Sequence, residues 1–272
     1  MSIHTIVDDF VNTVKTHLAH LPQPGAPLVQ EQNPDTLFSP SGAFPSAKDE
    51  IQSSERSLFL QTGDPSALAR MIDHTLLRAD ALPEEIDLLC QEALKYHFAT
   101  VCIHSSYVPR AAQILKGSQT IPIAVVGFPL GASLTLAKAF EAKEAIRAGA
   151  QEIDMVVNLG ALKSGDYLTT LDDIRAVVEV SYPYPVKVII ETCTLNASQK
   201  IIACALAKSA GAAFVKTSTG FGSGGATVED IALMRKTVGP AMGVKASGGI
   251  RTWADAQKMI AAGASRLGTS AG

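Results

Sequence analysis

Residues 211–252 read GAAFVKTSTGFGSGGATVEDIALMRKTVGPAMGVKASGGIRT. The order is a Gly-Ala turn, a short apolar run, a glycine-rich loop, a helical run and a second short apolar run. The apolar runs, 213–218 and 242–247, are too short for buried helices and carry β-branched and aromatic residues. The intervening run, 228–237, has helical period. A strand, a helix and a second strand of these lengths form one crossover unit between parallel neighbours. One such unit does not decide a fold, but its repetition does.

The unit recurs in both directions from this stretch. Strands are predicted at 69–74, 99–104, 121–128, 152–158, 186–192, 213–218, 242–247 and 266–270. Helices are predicted at 84–97, 106–116, 134–148, 166–181, 198–210, 228–237 and 253–262. Pro83 opens the first helix, with Glu84 and Glu85 in its first turn, as helix starts prefer. Gly149-Ala150, Gly211-Ala212 and Gly263-Ala264 end three helices just before a strand, which is C-cap chemistry. Eight strands in strict alternation with helices predict a closed (β/α)8 TIM barrel over 66–272. An open doubly wound sheet would want a dinucleotide-binding glycine turn after an early strand, and no early strand is followed by one. The eighth strand ends next to Gly272, so the eighth outer helix is expected to be missing. The N-terminal helix expected over 1–21 is a candidate to cover that flank.

Before the barrel the pattern changes. Ile3, Ile6, Val7, Phe10, Val11, Val14, Leu18 and Leu21 fall at helical spacing, which predicts an amphipathic helix over 1–21. It carries too few lysines and arginines for a membrane-surface helix and is expected to pack on the barrel or a sister subunit. Residues 22–65 hold six prolines between Pro22 and Pro45 and read as a Pro-rich linker or arm.

Charge and composition exclude several function classes. The chain of 272 residues carries 23 Lys+Arg against 26 Asp+Glu, a net charge of −3, so nucleic acid is not an expected partner. With 47% hydrophobic and 18% charged residues it is not a disordered chain. Asp8 and Asp9 interrupt any signal-peptide core, and the first arginine is Arg56, against a transit peptide. The uncharged stretch 117–137 is broken by Pro122, Gly127, Pro129 and Gly131, so no membrane span is expected. Cys90, Cys102, Cys193 and Cys204 have neither disulfide nor zinc spacing and read mainly as core residues of a cytoplasmic protein.

In this fold, chemistry sits at the C-terminal ends of the strands. Asp154 interrupts the apolar run Ile153–Val157. A buried carboxylate needs a partner, and its functional reading is general acid/base catalysis. Lys216 and Lys245 lie late in adjacent strands at similar depth. Outward-facing lysines would be covered by helices. A lysine beside a second cation in a partly dry pocket has its ammonium disfavoured, and the free amine can form a Schiff base. Asp73 is a further carboxylate near the barrel interior, and Cys102 is expected to face the pocket without acting as a nucleophile. Glu191 is a candidate to orient a lysine. His74 and His104 end two strands and are expected as hydrogen-bonded pocket walls. No HxH or HExxH spacing marks a metal site, and His97 is expected at a helix end. The loops at Ser247-Gly248-Gly249 and Gly268-Thr269-Ser270 suit phosphate binding by backbone N–H groups, and Thr217–Gly220 adds hydroxyls.

Five motifs then coincide in order: IDHTLL from Ile72, VGFPLG from Val126, EIDMVVN from Glu152, FVKTSTGF from Phe214 and VKASGGIRT from Val244. From about residue 68 onward the chain closely resembles deoxyribose-phosphate aldolases. The resemblance implies a class I aldolase without metal or other cofactor. It implies reversible cleavage of 2-deoxy-D-ribose 5-phosphate to D-glyceraldehyde 3-phosphate and acetaldehyde, in deoxyribonucleotide catabolism. It makes Lys216 the Schiff-base lysine, Lys245 the second lysine that lowers the nucleophile's pKa, and Asp154 the acid/base working with water. Asp73, Thr75, Cys102, Thr219, Gly220, Gly248, Gly249 and Ser270 become the substrate-binding set. Small-molecule sugar phosphate and acetaldehyde are the expected partners, in a dimer or tetramer of the chain. A different Schiff-base barrel acting on fructose phosphates and a catalytically impaired sugar-phosphate-binding barrel are the other readings. Residues 1–65 share no part of the resemblance.

Overall fold

Along β4, Glu152 and Asp154 alternate with Ile153 and Met155, and every one of the four is buried. A strand buried on both faces suits a barrel whose inside is polar and whose outside meets helices. The computed structural model describes residues 47–270, and there the chain forms that barrel. Its strands are β1 (Ile72–Thr75), β2 (Thr100–His104), β3 (Ile121–Val126), β4 (Glu152–Val156), β5 (Val186–Ile189), β6 (Phe214–Lys216), β7 (Gly243–Ser247) and β8 (Arg266–Thr269). All pair in parallel with their sequence neighbours, and β8 closes on β1.

The helices, in chain order, are α1 (Ala47–Thr62), α2 (Pro65–Ala69), α3 (Pro83–Tyr96), α4 (Val108–Ile114), α5 (Thr135–Arg147), α6 (Leu159–Ser164), α7 (Tyr167–Ser181), α8 (Ala197–Ser209), α9 (Val228–Val238) and α10 (Trp253–Ala262). The main apolar core lies between strands and helices, with Ile103, Val126, Met155, Val188, Val215, Val244 and Leu267 supplying its strand side. The opposite strand faces turn inward, and they carry most of the barrel's charge.

Local signals explain the element ends. Pro83 stands in the first turn of α3, and the Glu85 carboxylate accepts from the Leu82 N–H at 2.8 Å. The left-handed φ of 57° at His97 ends α3. Gly149 and Gly263 leave their helices at φ 115° and 124°, where a side chain would be strained.

Two expectations change. Part of the segment read as linker is helical: α1 packs Phe59 edge-to-face on Trp253, ring centroids 5.3 Å apart, and Arg56 Nε donates to the Ile260 carbonyl at 3.1 Å. Its apolar residues Leu58, Phe59 and Leu60 lie beyond Pro45, the last of the six clustered prolines, and that is why a proline count missed it. A helix from before the barrel thus rests on α10, the helix that follows β7. The short helix α6 is also additional, since the sequence reading assigns no element between the strand at 152–158 and the helix at 166–181. The expected helix over 1–21, and the arm as far as 46, lie outside the described residues. Among the described residues no helix follows β8, and none is long and apolar enough to cross a membrane.

Candidate active site

Lys216 is the last residue of β6, and Lys245 is its register partner on β7. Asp154 faces them from β4. Its Oδ2 accepts from Lys216 Nζ at 2.8 Å and from Lys245 Nζ at 2.7 Å. Lys187 Nζ, from β5, lies 3.1 Å from Asp154 Oδ1. The three residues singled out by the sequence therefore meet on one carboxylate oxygen.

Burial alone would raise the Asp154 pKa, but Lys187, Lys216 and Lys245 together hold it well below the carboxylate range. Burial alone would lower that of Lys245. Asp154 and Asp73 outweigh it and hold Lys245 above the ordinary lysine range, so Lys245 keeps its proton. Gly268 makes room for its stem, since a Cβ there would lie 3.1 Å from Lys245 Cε and 2.3 Å from Ser247 Oγ.

A cavity of about 570 Å³ opens above this cluster at the C-terminal ends of the strands. Lys216 lines it, whereas Lys245 and Asp154 lie beneath. Access to a bound molecule thus separates the two lysines. Thr75, Thr219, Gly220, Gly248, Gly249 and Ser270 line the cavity. Gly248 and Gly249 take φ of 84° and 82°, and Ala226 N–H donates to the carbonyls of Ser247 and Gly248, both at 3.0 Å, bracing that loop. The buried Ser247 hydroxyl also lines the cavity and has no partner among the described residues.

Five residues lie elsewhere than expected. Asp73 and Cys102 do not reach the cavity, being fully buried below it. Asp73 serves charges instead: Oδ2 lies 2.5 Å from Lys245 Nζ, and Oδ1 accepts from Arg266 Nε at 2.8 Å and from the Thr100 hydroxyl at 2.7 Å. Burial pushes Asp73 up, but Arg266, Lys245 and Lys187 together hold it below the usual carboxylate range. Cys102 packs with Leu77, Ile123 and Val125, its Sγ 4.0 Å from Asp154 Oδ2. Burial raises its thiol pKa. Glu191 orients no lysine: its carboxylate accepts from the Thr219 N–H and hydroxyl, which shapes the β6 loop. His74 and His104 are not cavity walls. His74 Nε2 pairs with Glu92 of α3 at 2.7 Å, and His104 Nε2 meets the Leu77 carbonyl at 3.0 Å.

Three residues of the cluster escaped the sequence reading: Lys187, Glu152 and Arg266. Lys187 Nζ bonds Glu152 Oε2, and Arg266 Nη2 reaches the same oxygen at 3.1 Å. Each is a charge inside an apolar strand, the signal that marked Asp154. They sit toward the lower ends of their strands, away from the C-terminal ends where this fold places its chemistry. Among the described residues no three His, Cys, Asp or Glu side chains gather as metal ligands would.

The fold and site define a (β/α)8-barrel enzyme with a buried lysine–carboxylate centre at its C-terminal mouth. The sequence pattern of the DeoC/LacD family aldolases matches residues 67–272, and the chain belongs to that family. It is an aldolase, a carbon–carbon lyase. It is 58% identical over 205 residues to the deoxyribose-phosphate aldolase of Streptococcus pneumoniae, covering 75% of this chain and 93% of the relative. It is 57% identical over 209 residues to that of Carboxydothermus hydrogenoformans, covering 75% and 92%. The structure of the tetrameric deoxyribose phosphate aldolase from Aeropyrum pernix superposes with a TM-score of 0.73 at 33% identity, covering 84% of this chain and 95% of that one.

Proposed function

We propose that the chain reversibly cleaves 2-deoxy-D-ribose 5-phosphate to D-glyceraldehyde 3-phosphate and acetaldehyde through an imine on Lys216. The observation that carries this reading is that Lys216 alone of the clustered lysines lines the cavity, while its partners Asp154 and Lys245 sit directly beneath. Identity above 55% to relatives named for this activity supports the substrate class.

Lys216 Nζ, as the free amine, attacks the C1 aldehyde of the open-chain sugar, and loss of water gives the iminium. The C3 hydroxyl passes its proton to a water held by Asp154. The C2–C3 bond breaks, its electron pair moves into the enamine, and glyceraldehyde 3-phosphate leaves. Protonation at C2 and addition of water return acetaldehyde and the Lys216 amine. Lys245, which keeps its proton, stabilises negative charge on Asp154 and on oxygen near it. The phosphate rests on backbone N–H groups at Gly220, Gly248 and Gly249 and on the hydroxyls of Ser247 and Ser270, which anchors the reacting carbon above Lys216.

The wider role is deoxyribonucleotide catabolism in the cytoplasm, with the chain as a dimer or tetramer. The substrate assignment is tested by measuring glyceraldehyde 3-phosphate release from deoxyribose 5-phosphate and, side by side, from fructose 6-phosphate and fructose 1,6-bisphosphate. Release from the deoxyribose ester alone is expected. Release only from fructose phosphates would move the assignment to another imine-forming aldolase.

A further inference from the structure

Below the two amines, the buried charges form a closed circuit. Arg266 Nη2 lies 2.5 Å from Asp73 Oδ1, and Asp73 Oδ2 lies 2.5 Å from Lys245 Nζ. Lys245 Nζ lies 2.7 Å from Asp154 Oδ2, and Asp154 Oδ1 lies 3.1 Å from Lys187 Nζ. Lys187 bonds Glu152, and Glu152 Oε2 lies 3.1 Å from Arg266 Nη2, where the circuit began. The members come from β8, β1, β7, β4 and β5, so the circuit runs around the barrel interior. The Phe214 ring underlies two of its cations, with Lys187 Nζ 5.4 Å and Arg266 Cζ 5.9 Å from the centroid.

Signs alternate all the way round: three cations and three carboxylates, each ionised group touching an opposite charge on either side. The circuit is neutral without Lys216. Lys216 is a seventh group, attached only through an Asp154 oxygen that Lys245 already shares. A proton on Lys216 would leave the buried set with one uncompensated positive charge, which a dry interior strongly disfavours.

We propose that Arg266 and Glu152 are positioning residues of the imine reaction, closing a neutral ring of six charges that leaves Lys216 as the uncharged amine. They act from the floor of the barrel and touch no substrate. Arg266 anchors Asp73 on Lys245, and Glu152 anchors Lys187 on Asp154. The count of charges in the ring then decides which amine is free. This inference rests on the imine reading above.

Parity makes the proposal testable. The assay is the pH dependence of imine formation with acetaldehyde, trapped by borohydride and localised to Lys216 by mass spectrometry. Arg266→Met removes a cation, so the remaining set is satisfied by a proton on Lys216. Its acid limb moves to higher pH. Glu152→Gln removes an anion and moves the limb to lower pH. Each displacement is on the order of one pH unit, the size of one buried charge acting through an effective dielectric near 20. The double variant Arg266→Met/Glu152→Gln restores parity and returns the limb to the wild-type position.

The other charged or titratable groups facing this site are Asp73 on β1, Cys102 on β2, Asp154 on β4, Lys187 on β5 and Lys245 on β7, with Arg78 and Arg251 at the mouth. Burial and the nearby carboxylates raise the Cys102 thiol above its ordinary range, so it does not supply the limb.

Single variants that move the limb in the same direction overturn the proposal, as does a double variant that stays displaced. A fall in rate with the limb unmoved also overturns it, because that is what a merely structural role would give. If Arg266→Met does not fold, Glu152→Gln, which keeps its shape, decides alone by the direction of its limb. A wild-type protein that forms no adduct on Lys216 overturns the imine reading and this proposal with it. That result is distinct from an adduct whose pH limb ignores the ring.

Discussion

Gly225→Ala separates phosphate binding from carbonyl chemistry. A Cβ on Gly225 would lie 2.3 Å from the Gly248 carbonyl oxygen and 2.5 Å from its carbon, both backbone atoms that cannot swing aside. Ordinary contact needs roughly 3.5 Å, so the loop after β7 must retreat by about 1 Å. The Ala226 N–H bonds that brace Ser247 and Gly248 would lengthen with it. Lys216 and Asp154 lie in other strands and stay in place. A misplacement of about 1 Å costs on the order of 10²-fold in rate, or about 2.7 kcal/mol. The assay is steady-state cleavage of deoxyribose 5-phosphate beside 2-deoxyribose without phosphate. The kcat/KM for the ester should fall on the order of 10²-fold, and that for the free sugar by less than about threefold. Equal losses on both substrates, or no loss on the ester, would refute placement of the phosphate on this loop.

Two further predictions concern stability. Lys138 Nζ, fully buried between α5 and α7, bonds Asp173 Oδ2 at 2.7 Å and the Val156 carbonyl at 3.0 Å. Asp173→Leu should cost about 3–5 kcal/mol in urea unfolding, and the double change with Lys138→Met should recover most of it, because only the single variant strands a charge. Asp73 and Asp154 are held below the carboxylate range in the fold but titrate near 3.9 once unfolded, so the unfolded chain binds more protons there. Their stabilising contribution is complete above about pH 5 and declines as pH falls below about 4 toward the native values. The urea midpoint should therefore drop between pH 5 and pH 3.5, and an unchanged midpoint would contradict the ion-pair account.

The alternation of apolar and helical runs was enough to place all eight strands, because buried parallel strands read as short uninterrupted apolar stretches. The predicted strands 121–128, 152–158 and 186–192 overran β3, β4 and β5, since the chain runs on into residues, such as Val157 and Ile190, that stay apolar and buried past the last ladder pair. Asp154, Lys216 and Lys245 were legible because a charge inside an apolar strand demands a partner. Lys187, Glu152 and Arg266 carry the same signal at the lower ends of their strands, the ends opposite the usual site of chemistry in this fold. Asp73 and Cys102 were assigned to substrate because a sequence gives the face of a strand but not its depth in the barrel. His74 was misplaced for a related reason: it belongs to the outward face of β1, where Glu92 of α3 meets it.

The central claim is that Lys216 is the amine that forms the imine. Incubation with deoxyribose 5-phosphate, borohydride reduction and peptide mapping test it directly. The account predicts one reduced adduct, on Lys216, that is absent in Lys216→Ala. An adduct on Lys245 instead, or none in a folded sample, would contradict it.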